Sequence, residues 1–517
     1  MTGVRPEPAL SRRRLAAGTA GAAVLLAALD AYVVVTILVA IVEDLGVPFN
    51  HLERATPIIT GYLLGYVAAM PLLGQLSDRL GRLPVLTTCL LTFGAASAVS
   101  ASAPSLPVLV AGRLVQGAAG GALLPVTFAV VADFWEERAR PVPIGIVGGL
   151  QELGSVIGPL WGAALAAVIG WRGLFWVNVP LAVAGALAVH RALPRDPPRP
   201  EVRVDAVGGG LLAVGLAAVI AALYNPDPSK ATLPRWGPAG LVAGAAALVG
   251  FALWERRAPA RLLDLRGPGG RIVAVAVGVS FLTGVALMAT LVDVPLIAQT
   301  LLGKDSTGGA LVLARFLGAL SVGAVAGGVA ARRAGGRPVA VAGLLVAALG
   351  YRLVAGWPTG VLASHHRLGP LVLPRLDSDL VLAGFGLGLV VAPLVSSALS
   401  ASSVAQHGSV ASAVVVARMM GMLIGIGALA AWGLHRFREL TAHLVPPLPG
   451  GLGDEAFARR MDAYQRAVEA ALRAEYREIF LITAAVCVAG ALASLGLRRV
   501  ARGEDALFVP SGSREGA

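Results

Sequence analysis

Residues 74–82 read Gly-Gln-Leu-Ser-Asp-Arg-Leu-Gly-Arg, a short charged loop between two long apolar stretches. The glycines permit a tight turn, and the aspartate and arginines are able to bridge the ends of neighbouring helices and thereby hold one conformer. An ordinary charged loop is the alternative interpretation, and the regular spacing argues against it. The residues that carry this prediction are Gly74, Asp78, Arg79, Gly81 and Arg82.

A weaker copy of this loop lies in the second half of the chain. Between Gly328 and Arg337, the residues Arg333 and Gly335 follow an apolar stretch at the equivalent place. Two such loops predict that the chain contains two related halves.

The composition places most of the chain in lipid. Of 517 residues, 56% are hydrophobic and 14% are charged, and the mean hydropathy is +0.76; a water-soluble protein with these values would expose apolar surface everywhere. The net charge of +12 comes from arginines in short runs between apolar segments, where they set membrane topology, so we exclude nucleic-acid binding. Cys89 and Cys487 lie inside apolar segments without metal-ligand spacing, so we expect neither a disulfide nor a metal site.

Fourteen stretches are long and apolar enough to cross a membrane as helices, for which about 20 residues suffice. The proline-rich run 195–200 and the loop 255–271 frame two of them, which predicts six spans, two linker spans and six further spans. The stretches are 17–41, 56–76, 84–103, 106–131, 142–168, 174–191, 205–224, 238–254, 272–301, 308–331, 339–357, 379–400, 409–435 and 476–497.

The basic residues orient these spans. With both termini on the inner side, the inner segments hold 24 basic residues, and the outer segments hold 8 besides those in the long loop 436–477. The positive-inside rule therefore predicts cytoplasmic termini. The predicted parts are an N-terminal segment 1–16, a six-helix half 17–191, two linker helices 192–271, a second half 272–497 with outer insertions 358–378 and 436–475, and a tail 498–517.

Two further motifs lie in spans four and five. Span four carries Arg113, Gln116 and Gly117 in an R-x-x-Q-G pattern, and span five carries a row of glycines with one proline. Small residues let helices touch closely, and a Gly-Pro step bends a helix; simple packing is the alternative interpretation. The row consists of Gly145, Gly154, Gly158, Pro159 and Gly162.

Together these motifs resemble those of the major facilitator superfamily, namely its G-x-L-x-D-R-x-G-R loop, its R-x-x-Q-G motif and its antiporter motif, whose last glycine is Ala163 here. The resemblance implies an all-α membrane protein of two six-helix halves plus two linker helices, fourteen in all, from the drug:proton antiporter branch. It also implies an alternating-access exporter with the proton as coupling ion and no other cofactor.

The first span departs from the usual L-D-x-T-I-V of that branch, since residues 29–37 read LDAYVVVTI. Together with other stretches of the chain, this variant of the first span resembles the actinobacterial lipid and triacylglycerol exporters that work with a periplasmic lipoprotein. The resemblance implies export of a hydrophobic lipid from the bacterial cytoplasmic membrane and a lipoprotein partner; we expect a monomer. A multidrug:proton antiporter is the alternative. The other stretches that carry this resemblance are 61–82, 121–135, 151–162, 290–295 and 405–425.

Other classes of protein lack support in the sequence. The chain contains no nucleotide-binding loop of the G-x-x-x-x-G-K-S type, so we do not expect ATP bound to this chain to supply its energy. It shows no Ser-His-Asp, H-E-x-x-H or paired-acid arrangement at convincing spacing, so we do not expect an enzyme.

Charged groups at membrane depth are costly and usually functional. We predict that Asp30 titrates with Arg113 nearby. Burial favours the protonated form of a carboxyl group, whereas a neighbouring arginine favours the ionised form. A static ion pair that fixes helix packing is the alternative. Gln116 either lines the central cavity beside Arg113 or has a packing role between helices. The charged residues within the predicted spans are Asp30, Arg113, Glu152, Asp293, Arg315 and Arg418.

Glu152 lies in the first half, and its candidate partners lie in the second half. An ion pair with Arg418 would form or break as the halves rock, and Arg315 is the competing partner. Asp293 is a second candidate proton site or polar lining near the outer end of its helix.

The loop after residue 436 has a helical pattern. From a candidate cap at Asp454, apolar residues recur at helical spacing into the last span, which predicts one continuous helix 454–497 of about 66 Å, twice the membrane core. Span thirteen likewise continues until Pro446. The outer extensions of spans thirteen and fourteen would carry a lipid tail away from the bilayer. Alternatively, they pack on each other as a helical hairpin. The apolar residues are Phe457, Met461, Tyr464, Val468 and Leu472.

The insertion 358–378 is too polar and turn-rich to span a membrane. We predict a β-hairpin with its turn near Gly369 and Pro370. His365 and His366 lack an evident carboxylate or cysteine partner, so we predict solvated loop residues rather than metal ligands.

Overall fold

The computed structural model describes residues 10–46, 55, 57–195, 198–202, 204–223, 234–258, 269–369, 371–447 and 454–497. This part of the chain is helical apart from short turns and one pair of strands. The helices are α1 (Leu10–Asp44), α2 (Pro57–Leu80), α3 (Arg82–Ala101), α4 (Leu106–Phe134), α5 (Pro141–Ala192), α6 (Ala206–Leu223), α7 (Gly237–Arg257), α8 (Gly270–Thr300), α9 (Ser306–Ala334), α10 (Gly336–Val354), α11 (Arg375–Ser400), α12 (His407–Thr441) and α13 (Asp454–Ser494).

Between twelve and fourteen apolar segments are able to cross a membrane. By length and hydropathy, twelve helices qualify outright within the described residues, and the apolar helix at Ala206–Ala222 is shorter. The 52-residue helix α5 is interrupted at Gly170, whose φ of 69° is left-handed, so it comprises two consecutive helical segments.

The helices pack as two bundles and a linker pair. In the first bundle α5 packs on α1 and α3, and α2 packs on α4; in the second, α11 packs on α9 and α10, while α8 packs on α12 and α13. The seam between the bundles joins α5 to α9 and α12 to α2 and α4. The linker helices α6 and α7 pack on each other, and the backbone N–H of Asp205 donates to Gln75 Oε1 of α2 at 2.9 Å.

The two related loops have the same backbone conformation. Gly81 joins α2 to α3 with φ 95° and ψ 162°, and Gly335 joins α9 to α10 with φ 87° and ψ 160°. A side chain is strained at such a φ, so glycine is required at both places. We call the end of the bundle that carries these loops the motif end, and the opposite end, where α12 finishes and α13 begins, the extension end.

Several boundaries differ from the sequence prediction. Helix α1 begins at Leu10, seven residues before the predicted first span, because no helix-breaking residue separates Ser11 from the apolar stretch. Helix α12 ends at Thr441, before the predicted stop at Pro446. Helix α13 has 41 residues, about 61 Å at 1.5 Å per residue. The predicted tail 498–517 and most of the predicted segment 1–16 lie outside the described residues.

The insertion 358–378 contains two short antiparallel strands, β1 (His365–Leu368) and β2 (Leu371–Pro374). His365 is paired with Pro374 and Leu368 with Leu371. The turn contains Gly369 with φ 64°, a conformation that glycine adopts without strain.

Candidate functional site

A cavity lies between the two bundles, with an empty volume of about 790 Å³ that is partly open to solvent. Fourteen of its twenty-one lining residues are apolar, and helices of both bundles contribute to it. Its polar lining consists of Tyr32, Gln151, Glu152, Ser155, Ser280, Thr283 and Arg418.

One ion pair crosses this cavity. Glu152 Oε1 on α5 lies 2.6 Å from an Arg418 guanidinium nitrogen on α12, and the two side chains are 7% and 16% exposed. The other candidate partner, Arg315, lies elsewhere: it pairs with Asp377 of α11 on an exposed surface and does not line the cavity. Helix packing across the seam therefore selects Arg418 as the partner of Glu152.

Asp30 belongs to a second buried network, inside the first bundle. Its Oδ2 accepts a hydrogen bond from Arg113 at 2.5 Å, and its Oδ1 accepts one from Asn178 Nδ2 at 2.6 Å. Arg113 also donates to Gln116 Oε1 at 3.0 Å, and Gln116 Nε2 donates to Ser97 Oγ at 2.6 Å. The network thus joins α1, α3, α4 and the second segment of α5.

This network is closed to the cavity. Arg113 is fully buried, its guanidinium lies 4.2 Å from the Tyr62 ring centroid, and neither Arg113 nor Asp30 lines the cavity in this conformation. Both carboxylate oxygens of Asp30 are hydrogen-bonded, so the network stabilises the packing of these helices, whether or not Asp30 also takes part in proton coupling. Sequence reasoning missed Asn178 and Ser97, although a polar residue in an apolar span was the available signal.

Asp293 lies on α8, away from the cavity lining. It is 8% exposed and comes one helical turn after Ala289, which packs with Leu429 of α12 and Ile479 of α13. Glu475 of α13 acts on it electrostatically. Asp293 therefore faces the packing of α8 against α12 and α13, near the extension end.

At the motif end, Asp78 connects the two bundles. Its carboxylate accepts hydrogen bonds from the backbone N–H groups of Gly408 and Ser409 at 2.8 and 2.9 Å and from Ser409 Oγ at 2.6 Å. These amides open α12, so the carboxylate also meets the positive end of the helix dipole. Gly74 allows this approach, because a Cβ there would lie 2.7 Å from the carbonyl oxygen of Gly408.

Arg82 extends this contact to α4. It donates to Asp78 Oδ1 at 2.6 Å and to Asp133 Oδ2 at 3.0 Å, while His407 Nδ1 lies 2.7 Å from Asp133 Oδ1. His407 is 1% exposed. We call Asp78, Arg82, Asp133 and His407 the latch. Sequence reasoning missed Asp133 and His407. Among the described residues, the exposed Arg79 makes no side-chain contact with the latch, and its backbone carbonyl accepts from the Arg199 N–H at 2.7 Å.

The glycine row of α5 serves two contacts. A Cβ at Gly145 would lie 2.5 Å from the Ala324 carbonyl oxygen of α9, across the seam. Cβ atoms at Gly154, Gly158 and Gly162 would lie 2.5 to 2.8 Å from atoms of α1. These glycines therefore permit close helix packing, and Pro159 continues the same helix, half-buried beside them.

One of the two hairpin histidines, His366, differs from the prediction. His366 Nε2 lies 2.7 Å from Asp379 Oδ1, and Trp357 Nε1 donates to Asp379 Oδ2 at 2.9 Å, so His366 is anchored to α11 instead of solvated. The carboxylate partner lies thirteen residues away, beyond the local sequence context. His365 is exposed, and within the described residues no group of three metal-ligating side chains occurs.

Most of the chain is similar to known membrane transporters. The family model described as Major Facilitator Superfamily matches residues 20–426. The triacylglyceride transporter of Mycolicibacterium hassiacum is 49% identical over 505 residues, which cover 96% of this chain and 94% of that protein. The triacylglyceride transporter of Mycobacterium tuberculosis is 48% identical over 501 residues, 96% of each chain.

Solved structures show the same fold at low identity. The human organic anion transporter MFSD10 has a TM-score of 0.59 at 18% identity and covers 93% of this chain and all of its own. The proton:xylose symporter XylE has a TM-score of 0.58 at 15% identity, with 93% and 95% covered.

Proposed function

Because this chain belongs to the major facilitator superfamily, we propose that it is a triacylglyceride transporter that exports neutral lipid from the bacterial cytoplasmic membrane and takes up protons in exchange. Members of this superfamily are transporters and not enzymes. The substrate class follows from the names of the relatives that share nearly half of its residues over almost the full length.

The cavity supports a neutral, apolar substrate. Most of its lining is aliphatic, which suits acyl chains. Glu152 is the only acid among the lining residues described, and Arg418 neutralises it at 2.6 Å. A cationic drug would need an unpaired carboxylate there, so the charge balance favours a lipid over the multidrug alternative.

Two contacts between the bundles support alternating access. In the proposed fourteen-span arrangement with cytoplasmic termini, the motif end faces the cytoplasm. The latch then closes the cytoplasmic end, and Glu152 and Arg418 hold the bundles together at the cavity. Opening to the cytoplasm requires that Asp78 leaves the start of α12.

Glu152 is the residue on which this proposal depends most. A neutral Glu152 no longer attracts Arg418, so protonation would release the contact between the bundles. Asp30 with Arg113 and Asp293 are the other candidates for proton coupling. Asp30 would have to leave its closed network first, whereas Glu152 already lines the cavity.

The long helices α12 and α13 fit a route for lipid beyond the membrane. Helix α13 is about twice as long as a membrane core is thick, so its first half stands in the periplasm in this arrangement. Its predicted apolar residues 457, 461, 464, 468 and 472 are all partly exposed, so α12 does not cover them fully. A partly open apolar stripe fits delivery of the lipid to a periplasmic lipoprotein.

Transport of labelled triacylglycerol in proteoliposomes with an imposed proton gradient tests the proposal. The intact protein is compared with Glu152→Gln, with Asp30→Asn, and with Asp377→Asn as a control that removes an exposed acid of the second bundle. We expect gradient-dependent lipid movement that Glu152→Gln abolishes and Asp377→Asn preserves. Lipid movement that does not depend on the proton gradient would contradict proton coupling. Efflux of a cationic dye without lipid movement would contradict the proposed lipid substrate.

A further inference from the structure

A second pocket lies at the extension end, among the ends of α8 and α10, the segment that follows α10, and the middle of α13. Its empty volume is about 380 Å³, partly open to solvent. Ten of the twelve lining residues are apolar or aromatic, and the other two are arginines. The lining consists of Ile297, Leu301, Leu302, Val354, Ala355, Trp357, Pro358, Val361, Arg473, Tyr476, Arg477 and Phe480.

The two arginines are four residues apart on α13, so their side chains lie on one helix face. Neither makes an ion pair or side-chain hydrogen bond with any described residue, whereas Arg466 pairs with Asp462 and Arg436 with Glu478. No acid is among the described residues that line the pocket. These two positive charges beside an apolar pocket therefore have no ion-pair partner in the part of the chain that the structure describes.

The pocket lies at the level where α13 changes from polar to apolar. Charged residues recur from Glu455 to Glu478, and residues 479–494 carry no charge. Trp357 and Tyr476 lie at the same level, and such aromatic side chains are enriched at the boundary between lipid and water. The arginines are thus placed where lipid headgroups lie, and Phe480 lies one turn towards the membrane core.

We propose that this pocket binds an anionic phospholipid, with the phosphodiester on Arg473 and Arg477 and an acyl chain against Leu301, Val354 and Phe480. Guanidinium groups match phosphate oxygens in charge and geometry, and the apolar lining suits the chain. A triacylglycerol carries no charge and leaves both arginines unpaired, so the occupant differs from the proposed substrate. The bound lipid would hold the ends of α8 and α10 to α13 at one depth in the membrane.

Native mass spectrometry of the purified full-length protein tests this proposal. The protein is incubated with phosphatidylglycerol or with phosphatidylcholine of the same chain length. Arg473→Gln/Arg477→Gln removes the site, and Arg459→Gln/Arg460→Gln removes two exposed charges of the same helix outside the pocket. We expect the first variant to retain about tenfold less phosphatidylglycerol, which corresponds to about 1.4 kcal/mol of binding free energy, and the second to bind like the intact protein.

Three outcomes overturn the proposal: equal retention by both variants, equal retention of both lipids, or full competition by glycerol phosphate, which has no acyl chain. The thermal unfolding temperature of each variant shows that it is folded. No gradient and no triacylglycerol enter the measurement, so its result is independent of the proposed transport function.

Discussion

Glu152 of α5 and Arg418 of α12 lie 2.6 Å apart across the seam between two separately packed bundles. The pair lines the central cavity, whereas the fully buried pair of Asp30 and Arg113 lies within one bundle and out of contact with the cavity. In the proposed alternating-access cycle, relative motion of the bundles would break the first pair and leave the second intact. The two pairs therefore have different expected roles.

Glu152→Gln is expected to reduce lipid transport by about tenfold or more, because removal of one partner of a buried ion pair costs about 3–5 kcal/mol and alters the balance between conformations. Arg418→Gln should have a similar effect. Initial rates in proteoliposomes measure it, with Asp377→Asn as the control. A variant at Glu152 with normal, gradient-dependent transport would contradict the proposed coupling.

Asp30→Asn is expected to destabilise the protein by about 3–5 kcal/mol, because the variant leaves Arg113 buried without a counter-charge. The double variant Asp30→Asn/Arg113→Met should be more stable than Asp30→Asn, since it removes the uncompensated charge. Thermal unfolding in detergent compares the intact, single and double variants. Additive losses would show that the two side chains do not act as a pair.

Asp78→Asn is expected to weaken closure at the motif end by about 1–3 kcal/mol, because a neutral amide accepts less strongly from the start of α12 and from Arg82. Spin labels at Arg138→Cys and Arg333→Cys, two exposed positions on opposite bundles, report the separation after Cys89 and Cys487 are replaced by serine. We expect Asp78→Asn to increase the population of long distances between the two spin labels, compared with the labelled protein that retains Asp78. Glu137→Gln, an exposed acid of the same end, should leave the distribution unchanged; identical effects of both changes would argue against the latch.

Gly81→Ala and Gly335→Ala are each expected to destabilise the protein by about 1–2 kcal/mol, because both glycines have a left-handed φ. Gly18→Ala is the matched control, since Gly18 lies within α1 with no atom near an added Cβ. Thermal unfolding temperatures provide the measurement. A loss at Gly18 as large as at Gly81 would contradict the explanation by backbone conformation.

His366→Ala is expected to loosen the β-hairpin by about 1–2 kcal/mol, because it removes the contact with the buried carboxylate of Asp379. His365→Ala alters the exposed neighbour and should have little effect. Hydrogen exchange of the amides in β1 and β2 measures local opening. Equal protection in both variants would show that His366 does not anchor the hairpin.

The sequence predicts the membrane-spanning class, the family resemblance and most helix positions. The family match and the relatives at 48–49% identity confirm the resemblance and the lipid-transporter assignment. Glu152 and Arg418 were predicted as a pair across the halves, with Arg315 as the competing partner, and the structure places Arg315 against Asp377. The proton route stays a prediction.

Local patterns carried those successes, since about 20 apolar residues specify a membrane helix and a glycine with an aspartate and arginines specifies a tight charged turn. The partners of the charged groups are set by packing between helices that are distant in sequence. Asp78 meets Gly408 over 330 residues, Asp133 meets His407 over 274, and Asp30 meets Asn178 over 148. A single sequence records which groups need partners, because a buried charge must be compensated. Only the tertiary structure decides which partner each one has, because hydrogen bonds act over about 3 Å, a separation that the packing of whole helices determines.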